Sequence, residues 1–443
     1  MRKRAGVTDT MSNESRQSPR VAGYGLFMLT LVYAFNFVDR QILVILQEPI
    51  KLEMGLSDAQ LGLLSGFAFA LVYITAGIPI AYVADRSNRR NIVAVALTVW
   101  SGMTFVSGFA QNYTHLLLAR IGVGIGEAGG SPPAHSMISD YFPPHRRGTA
   151  LAIYSTGVFF GVFLGFALGG VISQYYGWRV AFMAVGLPGI LLAIVLVLTV
   201  REPQRGRWES AAEAAYKPTL AQTLRHLRKL RSFRFIAAGS ALASFVSYGT
   251  GNFAPSFMLR NHGMEMAEVG IALAVFGGGG GVLGTLLGGY IADRRGVHDA
   301  RWYLWTPAVF GLLAIPVGLP YLFMQETAVV LGFMFLTTLC LNTSIGPTLA
   351  VTYSLVPPGM RAMTSAVLYF ITNLIGLGLG PLVTGYLSDT YTSWAGGDSL
   401  RYAMLTVGFM GAPSVLFYVL AARRLRFDLP VKGGSAGRAG PAV

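Results

Sequence analysis

The chain has 443 residues, of which 53% are hydrophobic and only 12% are charged. Because an average soluble protein is about 25% charged, this composition excludes an ordinary soluble domain and predicts a membrane protein with many spans. Cys340 is the only cysteine, which excludes an intrachain disulfide and a thiolate metal site. We expect no metal or other cofactor. No nucleotide loop, metal cluster or nucleophile–base motif marks the chain as an enzyme, and no selectivity-filter run marks it as a channel.

Apolar windows of about 20 residues, long enough to cross a bilayer, recur along the chain. The first six predicted spans are 22–47, 58–84, 91–110, 115–141, 148–172 and 178–200. The other six are 233–259, 269–292, 303–323, 327–356, 362–387 and 402–422. This pattern predicts an all-α membrane protein whose twelve transmembrane helices form two six-helix bundles. The predicted domains are a tail at 1–21, a bundle at 22–200, a linker at 201–232, a second bundle at 233–424 and a tail at 425–443.

The net charge of +14 reflects where the basic residues lie. Most Lys and Arg residues fall in the two tails and in alternate loops, and the intervening loops hold only Lys51, Arg179, Arg260 and Arg401. Lys and Arg are enriched in cytoplasmic loops, so we expect both termini in the cytoplasm and no nucleic-acid partner. In the linker, leucines at helical spacing alternate with basic residues over 219–231, which predicts either a helix in the anionic headgroup region or a solvated linker helix.

Three short elements recur in the two halves with a nearly constant offset. The loop Ala-Tyr-Val-Ala-Asp-Arg at 81–86 recurs as Gly-Tyr-Ile-Ala-Asp-Arg at 289–294. Pro-Pro-His-Arg-Arg at 143–147 recurs as Pro-Pro-Gly-Met-Arg at 357–361, and the Gly…Gly-x-x-Ser pattern ending at Ser173 recurs at Ser388. The chain is therefore predicted to be two parallel repeats, an arrangement that places a binding site near mid-membrane between the halves.

The two Ala-Asp-Arg loops, together with Arg120, Gly124 and Gly126 in span four, resemble the major facilitator superfamily. More narrowly, Phe-Val-Asp-Arg at 37–40 and Gly-Ile-Gly-Glu-Ala at 124–128 resemble the Spinster branch of that superfamily, which contains sphingosine-phosphate and lysophospholipid transporters. The resemblance implies a monomer in a bacterial inner membrane that works by alternating access.

Four charged residues are predicted well inside spans: Asp39, Arg40, Arg120 and Glu127. A charge at that depth is costly and marks a functional site by default. Asp39 and Arg120 lie at similar depths, about 10–12 Å from the outer boundary. Since the resemblance makes spans one and four neighbours, we predict an Asp39–Arg120 contact.

Glu127 lies two turns deeper than Arg120 on the same helical face, and we expect it to carry a proton coupled to transport. Gly129, Gly130 and the two prolines after Ser131 predict a break in the helix just beyond it. Arg40 must point away from its neighbour Asp39, and its role is less defined. The alternative for the whole group is a static buried salt bridge that holds spans one and four together.

The second repeat carries no ionisable replacement for these groups, because the aligned positions are Met334, Leu341 and Ser247–Tyr248. We therefore expect a lopsided cavity that is charged on one side and apolar or aromatic on the other, which suits a polar-headed, long-tailed molecule better than a sugar. The candidate lining residues in the second half are Tyr248, Asn252, Met334, Asn342, Thr343, Tyr369 and Asn373. Each Asn or Thr is equally suited to an interhelical hydrogen bond.

A second charged group is predicted at the cytoplasmic ends of the helices. The superfamily's loop motif implies a cluster of Asp85, Arg89 and Asp140, with Asp85 near the start of span eleven at Met360, where a negative charge is favourable. Such a cluster would close the inner side. The other predicted members of this gate are Arg86, Arg147, Asp293 and Arg294. The alternative is that these charges only set the topology.

These observations predict a proton-coupled secondary transporter of an amphipathic molecule, and the resemblance implies that this substrate is lysophospholipid-like or sphingolipid-like. The alternative is a proton-coupled carrier of small organic anions, sugars or drugs. The expected partners are a membrane lipid or another amphipathic small molecule, and protons.

Overall fold

The computed structural model describes residues 19–84, 86–208 and 219–429, and all regular secondary structure within these ranges is helical. The helices of the first half are α1 (Pro19–Met54), α2 (Asp58–Ala84), α3 (Arg89–Ser107), α4 (Tyr113–Glu127 and Ser131–Tyr141), and α5 and α6, which share the run Pro144–Thr199. Gly177 separates α5 from α6, because its φ of 83° and ψ of 163° are not helical. A linker helix, Leu220–Lys229, follows.

The helices of the second half repeat this arrangement. They are α7 (Arg231–His262), α8 (Met266–Gly296), α9 (Trp302–Phe323), α10 (Thr327–Asn342 and Ile345–Ser354), α11 (Arg361–Thr372 to Gly380–Ala395) and α12 (Ser399–Phe409 and Gly411–Asp428). Seven helical runs of the described chain are long and apolar enough to cross a membrane, and two of them, Pro144–Thr199 and Pro358–Asp428, contain two helices each. The predicted all-α, twelve-helix fold is confirmed.

Three helices contain a wider π-helical turn: Leu63–Phe67 in α2, Leu273–Gly277 in α8 and Asn373–Leu379 in α11. The sequence analysis did not predict these turns. Each contributes a lining residue to the central cavity described below, which agrees with the tendency of π turns to occur at functional sites.

The two ends of the bundle differ in how the halves meet. We call the end where α1 joins α2 the Asp58 end, and the end where α2 joins α3 the Arg89 end. At the Asp58 end, one hydrophobic core contains residues of both halves, such as Leu61 and Phe257. Towards the Arg89 end the core divides into two clusters, one formed almost wholly by the first half and one formed by residues 227–425. The halves are therefore packed together at the Asp58 end and diverge from it.

A stripe of glycines brings α2 and α11 into backbone contact near the Asp58 end. A Cβ atom on Gly62 would collide with the carbonyl oxygen of Pro381, and one on Gly66 would lie 2.8 Å from that of Leu377. In the opposite direction, a Cβ atom on Gly385 would collide with the carbonyl group of Asp58. Small residues allow this close approach of helices. We call Gly62, Gly66 and Gly385 the glycine seam.

Candidate functional site

Among the described ion pairs of the first half, the one furthest from the helix ends joins α1 to α4. Arg40 Nε donates to Glu127 Oε2 at 2.6 Å. The Glu127 side chain is wholly buried, whereas the Arg40 side chain keeps 18% of its surface exposed. The guanidinium carbon of Arg40 also lies about 5 Å from the ring centroids of Phe37 and Phe69. Arg40 is therefore the partner of Glu127, a relationship that the sequence analysis did not predict.

The Arg120 side chain contacts the backbone of Asp39, not its carboxylate. Its Nη1 atom lies 3.4 Å from the Asp39 carbonyl oxygen, and the Asp39 carboxylate accepts a hydrogen bond of 3.4 Å from Ser101. Among the described ion pairs there is none between the Arg120 and Asp39 side chains. The two helices do bring these residues together, but the carboxylate points towards α3 rather than towards the guanidinium.

Several atoms of this group are buried without a hydrogen-bond partner among the described residues. They are Asp39 Oδ1, Arg120 Nε and Glu127 Oε1. A buried polar atom left unpaired costs roughly 1–3 kcal/mol, more if it is charged. A proton, a water molecule or a ligand group that reached these atoms would recover part of that cost.

The predicted break beyond Glu127 is present. α4 stops at Glu127 and resumes at Ser131, with two prolines in the first turn of the second piece. The amides of Gly129 and Gly130 bond to carbonyl groups only three residues back, which tightens the chain there. Gly126 and Gly130 both pack against Trp100 of α3, so the interruption is enclosed by protein, as membrane depth requires.

A central cavity of about 280 Å³ lies between the halves. The first half contributes Arg40 and Arg120, together with Phe37, Gln41, Ser65, Phe69 and aliphatic or aromatic residues of α5. The second half contributes only uncharged residues, and the polar ones among them are Ser247, Tyr248, Thr250, Asn252, Tyr321, Thr337, Thr338 and Asn342. Among the described residues, the charged groups that line this cavity are two arginines on one wall.

Of the predicted lining residues in the second half, four line the cavity: Tyr248, Asn252, Met334 and Asn342. The other three do not. Thr343 is fully buried and donates to the Cys340 carbonyl oxygen, which places it within its own helix. Tyr369 is 47% exposed, and Asn373 is the first residue of the π turn of α11.

A smaller apolar cavity of about 70 Å³, which we call the side pocket, lies within the second half between α7, α9, α10 and α12. Its lining includes Val246, Ala314, Gly318, Leu322, Met404, Leu405 and Phe409. Four residues line both this pocket and the central cavity: Thr250, Tyr321, Thr337 and Leu341. The two spaces therefore share a wall.

At the Arg89 end, Arg89 is almost completely buried and holds several groups together. It forms ion pairs with Asp140 of α4 and with Glu202, at 2.7 Å from the latter, and it donates to the Pro203 carbonyl oxygen at 2.9 Å. Asp140 also accepts from the Gly206 amide. The predicted Arg89–Asp140 pair is present, and the segment 200–206 completes the cluster. Glu202 is a member that the sequence analysis missed.

The remaining predicted gate residues lie apart from this cluster. Asp85 lies outside the described residues. Arg86 is exposed and stacks on Tyr82, and Arg147 donates to the Ser139 carbonyl oxygen at 3.0 Å. In the second repeat, Asp293 accepts from Tyr303 and Arg294 donates to Tyr290. In the same loop, a hydrogen bond from Arg301 lowers the pKa of the Asp299 carboxyl group.

The Asp58 end carries a charged network between the halves that the sequence analysis did not predict. Arg260 of α7 donates to both oxygens of Asp58 at 2.7 and 2.8 Å, and it pairs with Glu48 of α1 at 2.7 Å. The amides of Asp58 and Ala59 in turn donate to Asp389 of α11 at 2.9 and 2.8 Å. We call Glu48, Asp58, Arg260 and Asp389 the Asp58 network.

Further hydrogen bonds strengthen this end of the bundle. Ser388 donates to Asp58 at 2.6 Å. On the other side of the interface, the Gln174 side chain of α5 bonds to Glu265 and to the Ala267 amide at the start of α8. The described hydrogen bonds that join the halves thus concentrate at the Asp58 end.

Three comparisons identify what this arrangement resembles. The sequence model of the protein family described as the Major Facilitator Superfamily matches residues 29–378 of this chain. A solved bacterial homologue of the human lysosomal transporter Spinster, in an inward-facing, unoccupied conformation, is 32% identical and has a TM-score of 0.87, covering 94% of this chain and 100% of its own.

The curated relatives include an efflux pump and a probable sugar-acid transporter. An MFS-type efflux pump of Mycolicibacterium smegmatis is 36% identical over 417 residues, which are 94% of this chain and 96% of the pump. A probable L-galactonate transporter of Escherichia coli is 24% identical over 434 residues, covering 94% and 92%.

Proposed function

Because the chain belongs to the Major Facilitator Superfamily and is structurally similar to a bacterial Spinster homologue, we propose that it is a proton-coupled secondary transporter of an amphipathic, lipid-like molecule. A lysophospholipid or a sphingolipid-like molecule is the substrate class we favour. Transport proceeds by alternating access, in which the two halves rock around a site near mid-membrane.

The asymmetry of the central cavity is the observation that carries this proposal. Arg40 and Arg120 lie on the wall of the first half, whereas the lining of the second half is uncharged. Guanidinium groups bind phosphate and carboxylate groups well because their fork of donors matches the acceptor geometry. An anionic or zwitterionic headgroup fits the first wall. The second wall, which is uncharged and places hydroxyl and amide groups beside apolar residues such as Met334 and Leu341, faces the rest of the molecule.

The side pocket supports the same substrate class. It is lined mainly by aliphatic side chains and shares Thr250, Tyr321, Thr337 and Leu341 with the central cavity. Rotation of these shared side chains would join the two spaces, and the pocket would then accept part of a hydrocarbon chain. A sugar acid has no hydrocarbon chain to place in such a pocket. For a lipid-like substrate, each CH₂ group buried there would contribute about 0.8 kcal/mol to the binding free energy.

Proton coupling is assigned to Glu127. Its side chain is wholly buried and bonds through one oxygen to Arg40, while the other oxygen has no partner among the described residues. Protonation of Glu127 would weaken its hold on Arg40, whose side chain reaches the cavity. An anionic headgroup could then take the place of the carboxylate, so that the headgroup and the ionised Glu127 compete for the same guanidinium and protonation of Glu127 favours substrate binding.

The Arg89 end is assigned to the cytoplasm, together with both termini, and the membrane is the inner membrane of a bacterium. With that orientation the Asp58 end is the outer side. Its ion pairs and hydrogen bonds between the halves correspond to an inward-facing state, as in the similar Spinster homologue.

The test is uptake into proteoliposomes with an imposed pH gradient. The signal is the fraction of a fluorescent lysophospholipid that external albumin no longer extracts. We expect accumulation that depends on the gradient and that unlabelled lysophospholipid suppresses. Protein-free liposomes provide the baseline, since lysolipids enter a bilayer unaided.

A carrier of small organic anions, sugars or drugs is the second candidate, favoured by the relationship to a probable L-galactonate transporter. In the same assay, uptake of a labelled sugar acid that lysophospholipid does not inhibit would support this candidate. If neither substrate accumulated with the gradient, the proposed coupling would be wrong.

A further inference from the structure

Away from the central cavity, three arginines surround an aromatic notch at the Arg89 end of the second half. The notch lies between the beginning of α7 and the end of α12, and it is lined by Arg231, Arg234, Phe235, Ala238, Phe417 and Arg424. All three arginines are exposed. The rings of Phe235 and Phe417 stack with their centroids 6.3 Å apart and their planes at 25°. We call this feature the arginine notch.

The helical spacing explains why the notch has a charged rim and an apolar floor. Arg231, Arg234, Phe235 and Ala238 follow the three- and four-residue spacing of one helical face. Phe235 lies about 6 Å further along the axis of α7 than Arg231. On α12, Phe417 precedes Arg424 by about two turns, so it lies deeper by about 10 Å. The guanidinium groups therefore stand at the end of the bundle, and the rings lie on the membrane side of them.

The positive charge of the rim is not neutralised by the described residues. Some arginines near helix ends have carboxylate partners, as Arg89 has in Asp140, whereas Arg147 and Arg294 donate to uncharged groups. No ion pair of the described chain includes an arginine of the notch. The nearby carboxylate of Asp428 accepts a hydrogen bond of 2.7 Å from the Ser232 amide, so it is bound to the first turn of α7. Clustered arginines without carboxylates predict a ligand that brings its own negative charge.

We propose that the arginine notch binds the headgroup of an anionic phospholipid of the surrounding leaflet. The phosphodiester group would lie among the three guanidinium groups, and the first methylene groups of the acyl chains would cover Phe235 and Phe417. Free phosphate would satisfy the rim but leave the aromatic floor exposed. Basic pockets between helices at the cytoplasmic surface suit anionic headgroups, and arginine suits phosphate because it forms paired hydrogen bonds.

The site also has a mechanical consequence. α7 and α12 both belong to the second half, and the linker helix leads directly into α7 through Leu230. A bound lipid would hold the second half at a fixed depth while the first half rocks against it. The inference is independent of the transported substrate, because the notch and the central cavity have no lining residue in common.

The test is native mass spectrometry of the full chain in detergent with added phosphatidylglycerol or phosphatidylcholine. We expect tighter retention of phosphatidylglycerol, and a reduction of about tenfold or more in its apparent affinity in the triple variant Arg231→Gln/Arg234→Gln/Arg424→Gln. The matched control is Arg225→Gln/Arg228→Gln/Lys229→Gln on the linker helix, which removes the same charge and should retain the preference. The melting temperature of both variants shows whether they fold.

Three results would overturn the proposal. In the first, the notch variant folds and still prefers phosphatidylglycerol. In the second, the linker variant loses the preference equally, which would reduce the effect to net charge. In the third, inorganic phosphate at millimolar concentration displaces the bound lipid, which would identify a free-phosphate site.

Discussion

Arg40 Nε on α1 lies 2.6 Å from Glu127 Oε2 on α4, so the residue assigned to proton coupling is held by the arginine whose role was least defined by the sequence. The two side chains differ in their surroundings. Glu127 is sealed from solvent, and Arg40 reaches the cavity. A change in the charge of Glu127 can therefore alter the interactions of Arg40 at the cavity wall through this one contact.

Replacing Glu127 with Gln should uncouple transport from the proton gradient. Glutamine keeps the size and one oxygen acceptor of glutamate, but it cannot exchange a proton. We expect gradient-driven uptake into proteoliposomes to fall roughly tenfold or more, whereas exchange of substrate across the membrane without a gradient persists. Glu53→Gln is the matched control, because Glu53 is half-exposed at the Asp58 end and pairs with Arg179. Undiminished gradient-driven uptake by Glu127→Gln would exclude this residue as the coupling site.

Replacing Arg260 with Gln should shift the protein towards a state that is open at the Asp58 end. The change leaves Glu48 without its cation and Asp58 with only Lys51 of its own half, and so weakens the contact that holds α7 of the second half against the first. Removing one partner of a buried charge pair costs about 2 kcal/mol or more. Distances between spin labels at the Asp58 end should then show a population shift of roughly thirtyfold.

Arg179→Gln is the control for this experiment, since Arg179 pairs with Glu53 within the first half at the same end of the molecule. If the distance distributions of Arg260→Gln and Arg179→Gln were the same, the Asp58 network would have no part in closing the Asp58 end.

A large side chain in the side pocket should discriminate against long-tailed substrates. Gly318 lines the pocket, and a Cβ atom there meets only Thr337, at 4.0 Å, so Gly318→Phe can fill the space without a backbone clash. We expect it to weaken competition by a long-chain lysophospholipid about tenfold while leaving a short-chain analogue unaffected, because each buried CH₂ group is worth about 0.8 kcal/mol. Gly332→Phe on α10, where nothing lies within 4 Å of the added Cβ, is the control. An equal effect on both chain lengths would show that the pocket does not hold the tail.

Replacing Arg89 with Met should destabilise the protein strongly. The substitution preserves much of the aliphatic volume but leaves Asp140 and Glu202 without their buried cation, and such losses cost about 3–5 kcal/mol. The measurement is the melting temperature in detergent. Arg86→Met, at an exposed position in the same loop, should change stability by no more than about 0.5 kcal/mol. Similar melting temperatures for the two variants would mean that the Arg89 cluster is not a structural element.

The parts of the molecule predicted from sequence are those that depend on local pattern. Charged residues inside an apolar run are conspicuous, so Asp39, Arg40, Arg120 and Glu127 could be identified before the fold was known. The break after Glu127 was also predictable, because glycine and proline act on the backbone where they stand. The spans follow from hydropathy for the same reason.

What the sequence could not show depends on how helices are rotated and how the halves meet. The depth calculation placed Asp39 level with Arg120, but it contained no angle around the helix axis. For that reason the pairing of Arg40 with Glu127 was missed. Asp58 and Arg260 lie at the ends of predicted spans, where isolated charges are common and attract no attention. No local sequence pattern indicates a contact between two residues so distant in the chain.

The glycine seam has a consequence for how fast the Asp58 end can open. Where bulky side chains of two helices interdigitate, the helices can separate only if these side chains change rotamer. The activation barrier to separation then rises with the number of side chains that must move. Between α2 and α11 the surfaces in contact at Gly62, Gly66 and Gly385 are bare backbone, so they can part without such withdrawal. The resistance to opening then comes from the hydrophobic core that the two halves share and from a few charged groups that water can solvate as soon as they are released. Charged contacts beside a helix interface made of backbone suit a transporter whose two halves must separate and come together again in every cycle.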